Sequence, residues 1–207
     1  MKNFYPPDYY SFRKVKHHGH SNFAKVALEK KRDQYALFKK GFTGRLIKAV
    51  VAADSICSLM GNAQVRPDSR VLDVGCGAGA LLDFLQDRGF TDLTGIDPYA
   101  QKYLGSGVKI LNKAIEDLGD DKFDVIIFRD SLEHILDQFA ALRKTSALLN
   151  KNGVCLVRMP LKTEYIWDRY GTNWVQIDAP RHCVIHTIKS FDLLLKKNRF
   201  EYRRCNI

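Results

Sequence analysis

The sequence predicts an α/β fold in which helices cover both faces of a mostly parallel sheet, preceded by an N-terminal helical extension. Two observations carry this prediction. Beyond Pro67, short apolar segments alternate with amphipathic helical patterns, which is typical of βαβ units and a parallel sheet. Between about residues 22 and 61, apolar side chains instead recur at three- and four-residue steps, which indicates helices ahead of the first strand.

The predicted strands are short apolar segments that follow one another along the chain. We place them at residues 70–74, 93–96, 108–111, 123–128 and 154–158. A loop over residues 159–188 then leads to a final helix capped by Ser190 and to a sixth strand over residues 200–207.

The N-terminal part of the chain is strongly basic. Residues 1–50 contain 12 Lys and Arg against 3 Asp and Glu, whereas the remaining 157 residues carry 21 against 20. A break at Gly41 and Gly44 divides the helical pattern, so we predict two helices there. We therefore assign residues 1–61 to a basic helical extension that packs on the core, and residues 62–207 to the sheet domain. The positive charge of the extension suits binding to nucleic acid, to an anionic membrane surface or to an acidic substrate. It is equally typical of a solvated helical face.

Composition excludes several classes of protein. The hydrophobic content of 45% is ordinary for a globular protein, and no apolar segment is long enough to cross a bilayer. The N-terminal residues lack the apolar run of a signal peptide, so we expect a cytoplasmic protein. The five cysteines include no CxxC pair, which predicts reduced thiols. We expect no metal at His17, His18 and His20, because a short histidine cluster within one segment is typical of a loop.

A glycine-rich turn follows the first predicted strand. The segment VLDVGCGAGALLDFL, residues 71–85, runs from a strand through three glycines into a helix. Gly75, Gly77 and Gly79 can adopt backbone angles closed to other residues and let a ligand approach the main chain. A ligand there would lie at the carboxyl ends of the strands, where open parallel sheets bind small molecules.

Two acidic residues narrow the choice of ligand. The turn also satisfies the looser GxGxxA pattern of dinucleotide sites, where a helix N-terminus receives a pyrophosphate. Asp73 would repel a pyrophosphate and attract an ammonium group. Asp97, about twenty residues after the turn, can accept hydrogen bonds from ribose hydroxyls of either cofactor. An NAD-dependent oxidoreductase therefore remains the weaker alternative.

These motifs resemble the class I S-adenosylmethionine-dependent methyltransferases, especially bacterial enzymes of small-molecule and polysaccharide biosynthesis. Later landmarks of that family occur as KAIEDL at 113–118, FDVIIFRDSLEHILD at 123–137 and LLNKNGVCLVRMP at 148–160. The resemblance implies a Rossmann-like fold, methyl transfer and S-adenosyl-L-methionine as cofactor. It implies that the cofactor is bound by Asp73, Gly75, Cys76, Gly77, Gly79, Asp97, Pro98, Ile115, Glu116, Asp117, Arg129 and Asp130.

The C-terminal part carries a less specific resemblance. The stretch at 174–201 is similar to the DxPRH element and following helix of related bacterial methyltransferases. Asn198 and Arg199 replace the glycine expected before Phe200, and the family's sheet has seven strands. We therefore expect either a truncated sheet edge or an edge that is built differently.

The acceptor of the methyl group is not readable from the sequence. An acceptor that is a poor nucleophile needs a base, and the candidates are His182, His134, Asp130 and His186. Glu133 and His134 form the LEH element, which either takes part in catalysis or orients the next helix. We expect a small molecule or glycan precursor as acceptor. The alternative is a nucleic-acid-binding protein or RNA methyltransferase that uses the basic N-terminal helices.

Overall fold

The computed structural model describes residues 23–100 and 107–202, and its centre is a parallel sheet. The strands of this sheet are β1 Arg70–Val74, β2 Asp92–Ile96, β3 Lys109–Leu111, β4 Phe123–Arg129 and β5 Leu149–Arg158. Their order is β3-β2-β1-β4-β5, and every pair is parallel. All five strands predicted from the apolar segments are therefore present.

Helices precede, connect and follow these strands. Their bounds are α1 Phe23–Phe38, α2 Phe42–Val50, α3 Ser55–Asn62, α4 Ala80–Arg88, α5 Gln138–Leu148, α6 Glu164–Tyr170 and α7 Ile188–Lys197. Neighbouring residues of β1 point to opposite faces of the sheet. Val71 packs with α1, α3 and α4, whereas Leu72 and Val74 pack with α5 and α7. The predicted Rossmann-like fold, with helices on both faces and N-terminal helices before the sheet, is confirmed.

Between residue 23 and β1 the structure has three helices, so the prediction of two was wrong. Gly44 does not break a helix but lies inside α2, where a Cβ would overlap the carbonyl oxygen of Lys31 in α1. The third helix begins after Asp54, whose carboxylate accepts the N–H of Ile56 at 2.9 Å. Close packing of α2 on α1 therefore explains Gly44, and the cap at Asp54 starts α3.

A buried ion cluster joins α1 to α4. Asp33 is 1% exposed, and its carboxylate accepts hydrogen bonds from Arg88 at 3.1 and 3.3 Å. Arg32 donates to the same carboxylate at 2.9 Å, as does the backbone N–H of Asp54 at 3.3 Å. The N-terminal helices thus share the core of the sheet, while the predicted domain boundary at residues 61 and 62 stays a prediction.

The region between β5 and α7 contains regular structure, so the predicted long loop was wrong. A short parallel pair forms between β6, Leu161–Lys162, and β7, His186–Thr187. Helix α6 and two 3-10 turns lie between them. Because β6 and β7 are only two residues long, their apolar pattern is too short to predict strands.

The end of the described chain also differs from prediction. Thr187 caps α7 by accepting the N–H of Ser190 at 3.1 Å, so Ser190 is the third residue of the helix and not its cap. The side chain of Ser190 accepts the N–H of Thr187 in return, which completes a capping box. Residues 200–202 form no strand, and the rest of the predicted sixth strand lies outside the described residues.

The described helices are short. The longest, α1, has 16 residues, whereas a bilayer requires about 20 apolar ones. Within residues 23–100 and 107–202, no helix is both long and apolar enough to cross a membrane. The cytoplasmic location expected from the sequence stays a prediction.

Candidate functional site

The candidate site lies where the strand order reverses. β1 pairs with β2 on one side and with β4 on the other, although β4 follows much later in the chain. The loops after β1 and β4 therefore leave in different directions, which opens a crevice at the carboxyl ends of the strands. Asp73 near the end of β1 lies in register with Gly95 of β2 and Ile127 of β4.

The glycine turn occupies this crevice in a conformation that requires glycine. Gly75, Gly77 and Gly79 have φ angles of 77°, 53° and 82°. A Cβ on Gly75 would lie 2.5 Å from the Cβ of Ser131, so the loop after β4 packs directly against the turn. The N–H groups of Gly75 and Cys76 donate to the carbonyl of Ile96 at 2.8 and 3.1 Å. The turn is thus held by both neighbouring strands.

Asp97 directly follows β2 and contacts the turn. Its carboxylate accepts the N–H of Gly77 at 3.0 Å and the N–H of Tyr99 at 2.8 Å. Burial raises the pKa of Asp97, and these two backbone hydrogen bonds lower it. Each carboxylate oxygen has a second lone pair. Asp97 can therefore hold the turn and still accept hydrogen bonds from a ligand.

Asp73 is a second buried carboxyl group in the same crevice. It is 3% exposed, and burial raises its pKa to about 7. The positive charge of Arg129 lowers this pKa, and the negative charge of Asp97 raises it. Two carboxylates at adjacent strand ends favour a cationic ligand and disfavour a pyrophosphate. The ammonium and sulfonium groups of S-adenosylmethionine fit this charge, and the glycine turn leaves room for its approach.

Cys76, predicted to bind the cofactor, directs its side chain away from the crevice. It belongs to the buried core with α1, α3 and α4. A Cβ on Gly95 would lie 2.6 Å from the Cys76 sulfur, so the thiol packs on β2. Burial raises the pKa of this thiol. Cys76 therefore offers a ligand its backbone alone.

The three residues predicted at the adenine edge form a 3-10 turn, Ile115–Asp117. Ile115 is buried, whereas Glu116 is exposed. The exposed carboxylate of Asp117 accepts the N–H of Ala114 at 3.3 Å and so stabilises the turn. Pro98 is exposed in the loop after β2, next to Asp97. Pro98 offers an exposed apolar surface that suits a purine, whereas the Ile115 side chain is 1% exposed and packs in the core, so that residue could contact a ligand through its backbone. These assignments stay predictions.

The loop after β4 carries the next predicted residues. Arg129 and Asp130 are exposed, and Asp130 has a φ of 55°. Its carboxylate forms a two-point ion pair with Arg158 at the end of β5, with an Nε to Oδ1 distance of 3.1 Å. Arg158 is not among the residues predicted from the sequence. The guanidinium engages this carboxylate, and a role for Asp130 as a base stays a prediction. Ser131 donates to the carbonyl of Val74 at 2.6 Å and joins β1 to this loop.

Two of the predicted bases, 48 residues apart in sequence, lie side by side. The rings of His134 and His182 are 4.7 Å apart between centroids and meet edge to face. Nδ1 of His134 lies 3.0 Å from the carbonyl of Arg181, and Nδ1 of His182 lies 2.6 Å from that of Gln176. The charge of a protonated His134 lowers the pKa of Asp97, so His134 lies near the cofactor crevice and His182 lies beside it.

His186, the fourth candidate base, lies outside this pair. Its Nδ1 lies 2.9 Å from the hydroxyl of Ser190, and its Nε2 lies 2.6 Å from the side-chain oxygen of Gln138. Both ring nitrogens are therefore engaged within the fold. This pattern is that of a structural histidine that joins β7 to α5 and α7.

Glu133 is a functional candidate that the sequence left undecided. Its side chain is 1% exposed, and Oε2 has no hydrogen-bond partner among the described residues. Burial raises its pKa to about 7. Its backbone carbonyl accepts the N–H of Cys183 at 2.8 Å, which joins the LEH turn to the segment of His182. The LEH element was the available signal, but burial at this position cannot be read from it.

A large groove among the described residues lies elsewhere. Its volume is about 1240 Å³, and it follows β5 between α3 and α7. Arg129 and Arg158 line one end, but the glycine turn, Asp73 and Asp97 do not border it. The groove follows the sheet edge that no described strand covers, so its size reflects that edge. The crevice is therefore the candidate cofactor site because of its glycine turn and its two acidic residues, and not because of its volume.

Several known proteins are similar to this chain in sequence or in fold. The ubiquinone biosynthesis O-methyltransferase of Bordetella avium is 33% identical over 157 residues, 67% of this chain and 62% of that protein. The protein of the same name from Azorhizobium caulinodans is 33% identical over 99 residues, 42% of this chain and 39% of that protein. A SAM-dependent methyltransferase from Archaeoglobus fulgidus shares the fold, with a TM-score of 0.53 and 20% identity over 65% of this chain and 62% of that one.

Family membership follows from the extent of the match. The chain covers less than two thirds of the length of either curated relative. These similarities give no support to the nucleic-acid-binding or oxidoreductase alternatives. The methyltransferase-domain family matches residues 43–204, which is most of the sequence, and the chain belongs to that family.

Proposed function

We propose that this protein transfers a methyl group from S-adenosyl-L-methionine to a small molecule. The observation that carries the proposal is the pair of buried carboxylates, Asp73 and Asp97, on either side of the glycine turn. Their charge complements the ammonium and sulfonium groups of this cofactor. When bound, S-adenosylmethionine supplies a methyl group that its sulfonium already makes electrophilic.

The residues of the crevice have distinct roles in this proposal. Asp73 binds the ammonium group, and the backbone of Gly75 to Gly79 accommodates the methionine portion. Asp97 accepts the ribose hydroxyls while it holds Gly77 in place. Pro98 contacts the adenine, and the backbone of the turn Ile115–Asp117 lies at its edge. The protein thereby aligns the methyl carbon with an acceptor, which is its main contribution to the rate.

We propose an oxygen atom as the methyl acceptor. The curated relatives are named O-methyltransferases, and two imidazoles border the crevice where an acceptor would approach. A hydroxyl acceptor must lose its proton during transfer, and histidine can take part in that step near neutral pH. Arg129 and the Asp130 to Arg158 ion pair would form the opposite border of the acceptor site.

Ligand-binding measurements test the cofactor directly. Calorimetric titration with S-adenosylhomocysteine should show one site per chain, and the same ligand should raise the melting temperature. NAD should neither bind nor raise the melting temperature, because its pyrophosphate would lie near the carboxylate of Asp73. Stabilisation by NAD without stabilisation by S-adenosylhomocysteine would overturn the proposal.

Labelled methyl transfer tests the acceptor class. S-adenosylmethionine with an isotope-labelled methyl group is incubated with the protein and a panel of phenols, amines and carboxylic acids. Labelled methyl ethers are expected, and their chemical shifts separate them from N-methyl and C-methyl products. Transfer confined to amines would contradict an oxygen acceptor while leaving the cofactor assignment intact.

A further inference from the structure

We propose that the methyl acceptor carries a carboxylate group, and that Arg129 and Arg158 bind this group beside the cofactor crevice. The inference rests on the proposed function, because it names the class of small molecule that accepts the methyl group. The two arginines end neighbouring strands of the sheet. Arg129 is the last residue of β4, Arg158 is the last residue of β5, and the two are register partners.

Both arginine side chains leave the sheet on the same face. Alternate residues of a strand point to one face, and register partners in neighbouring parallel strands point to it together. Ile127 and Leu156, two residues before the arginines, both pack in the core with α1 and α3. Arg129 and Arg158 are exposed and therefore lie side by side on that face, at the carboxyl ends of their strands.

Asp130 uses only part of the Arg158 guanidinium. Its two carboxylate oxygens accept hydrogen bonds from Nε, at 3.1 Å, and from Nη2. A guanidinium has N–H donors on all three nitrogens, so the donors of Nη1 remain available to a ligand. The Arg158 side chain is 50% exposed, so a ligand can reach it.

Arg129 supplies a positive charge that no described acid holds in an ion pair. Within residues 23–100 and 107–202, its exposed guanidinium forms no ion pair and no hydrogen bond. Asp73 is close enough for Arg129 to lower the pKa of its carboxyl group. In the proposed function, that carboxylate binds the ammonium group of the cofactor. Arg129 then presents its charge to the acceptor.

Two further acids act on Arg158 at longer range, Asp54 and Glu133. The Asp54 carboxylate caps α3 by accepting the N–H of Ile56 at 2.9 Å, where the partial positive charge of the helix N-terminus offsets it. Burial raises the pKa of Glu133 to about 7, so this group is partly neutral near that pH. Neither acid is in an ion pair with the two arginines.

The charge balance favours a carboxylate over a phosphate. Arg129 and Arg158 carry two positive charges, and Asp130 carries one negative charge, which leaves one positive charge at this end of the sheet. A carboxylate neutralises that charge, whereas a phosphate monoester brings nearly two negative charges at neutral pH. Arginine also holds a carboxylate through two parallel hydrogen bonds, which fix its direction. The arginines would thereby orient the acceptor toward the crevice.

Nuclear magnetic resonance of the arginine side chains tests the site without a known acceptor. The whole chain, carrying nitrogen-15 arginine and saturated with S-adenosylhomocysteine, is titrated with benzoate as a simple carboxylate probe. Arg129→Met and Arg158→Met assign the two Nε–H signals by their loss. Both signals should shift and saturate, with a dissociation constant on the order of 1 mM. Benzamide, the neutral analogue, should shift neither signal.

Arg66 is the matched control, because its side chain is 74% exposed and precedes the amino end of β1, away from the crevice. Its signal should not move with benzoate. Equal shifts at Arg66, equal shifts with benzamide or no shift with benzoate would each overturn the proposal. Tighter binding of phenyl phosphate than of benzoate would overturn the carboxylate assignment in favour of a phosphate.

The carboxylate of the cofactor itself is the competing partner for Arg129. If it binds there, the Arg129 signal moves when S-adenosylhomocysteine is added and benzoate has no further effect, which would contradict the proposal. Failure of S-adenosylhomocysteine to bind would overturn the proposed function and this inference together. Binding of S-adenosylhomocysteine without the benzoate shifts would overturn this inference alone.

Transfer of a labelled methyl group gives a second readout. Hydroxy acids and their amides are compared as acceptors, and the acids should be preferred at least about 10-fold in kcat/KM, the size expected for a charged hydrogen bond. Arg129→Met should remove most of this preference by raising KM for the acids. Equal kcat/KM for acids and amides with the parent protein would count against a carboxylate-bearing acceptor.

Discussion

The carboxylate of Asp97 accepts the N–H of Gly77 at 3.0 Å, so the predicted ribose ligand and the glycine turn form one unit. A second bond, from the N–H of Tyr99, orients the same carboxylate. The acid that follows β2 therefore fixes the loop that follows β1. Loss of the carboxylate should affect both the turn and the contacts with the ribose.

Asp97→Asn should weaken S-adenosylhomocysteine binding at least about 10-fold, since an amide replaces one accepting oxygen with a donor that opposes the backbone N–H groups. Calorimetry measures the change. Asp92→Asn is the matched control, because Asp92 lies at the opposite, exposed end of β2 and pairs with Arg70 at 3.2 Å. Unchanged affinity in Asp97→Asn would contradict the assignment of this carboxylate.

Binding of S-adenosylhomocysteine should depend on pH through Asp73. Burial raises the pKa of this carboxyl to about 7, and only its ionised form attracts the ligand's ammonium group. Affinity should therefore fall as the pH decreases below about 7, with uptake of a proton by the free protein and its release on binding. Titrations between about pH 5.5 and 7.5 in buffers of different ionisation enthalpy measure both effects.

The Asp73→Asn variant tests whether Asp73 is the group responsible for the pH dependence of binding. The amide is uncharged at every pH. The variant should therefore bind S-adenosylhomocysteine more weakly than the parent does at pH 7.5, and its affinity should be nearly independent of pH. The parent and the variant should converge as the pH decreases. A pH profile in the variant that parallels the parent's would show that another group is responsible.

Gly75→Ala should destabilise the fold and abolish cofactor binding. The new Cβ would lie 2.5 Å from the Cβ of Ser131, at a φ of 77° that disfavours side chains. Together these effects should cost about 2–4 kcal/mol of unfolding free energy. Urea unfolding measures this loss. Gly119→Ala is the control, since nothing lies within 4 Å of a Cβ there, and a loss of similar size in both variants would contradict the argument.

Asp33→Ala should destabilise the protein by about 3 kcal/mol, because it leaves Arg32 and Arg88 largely buried without their shared carboxylate. The urea midpoint should fall accordingly. Asp68→Ala removes a carboxylate that is 72% exposed and pairs with Arg66, and it should cost less than about 1 kcal/mol. Equal effects in the two variants would show that the buried cluster does not join α1 to α4.

Much of the cofactor crevice could be predicted because its chemistry is local. The φ angles at Gly75 and Gly77 demand residues without a side chain, and the apolar segments on either side mark β1 and α4. Asp97 could be located because the carboxyl end of β2 must lie beside that of β1 in a parallel sheet. Short-range patterns of this kind are determined by the amino-acid sequence itself.

Other features depend on contacts between distant segments. The proximity of His134 to His182, and of Asp130 to Arg158, follows from how the ends of β4 and β5 and the segment before β7 pack together. The N–H of Cys183 in that segment donates to the carbonyl of Glu133, and α1 leaves no room for a side chain at Gly44. The sheet and the chemistry of the cofactor crevice can therefore be predicted from local patterns of residues. Which acids and histidines meet at the border of the crevice depends on the folded chain, because burial and proximity arise only when distant segments pack together.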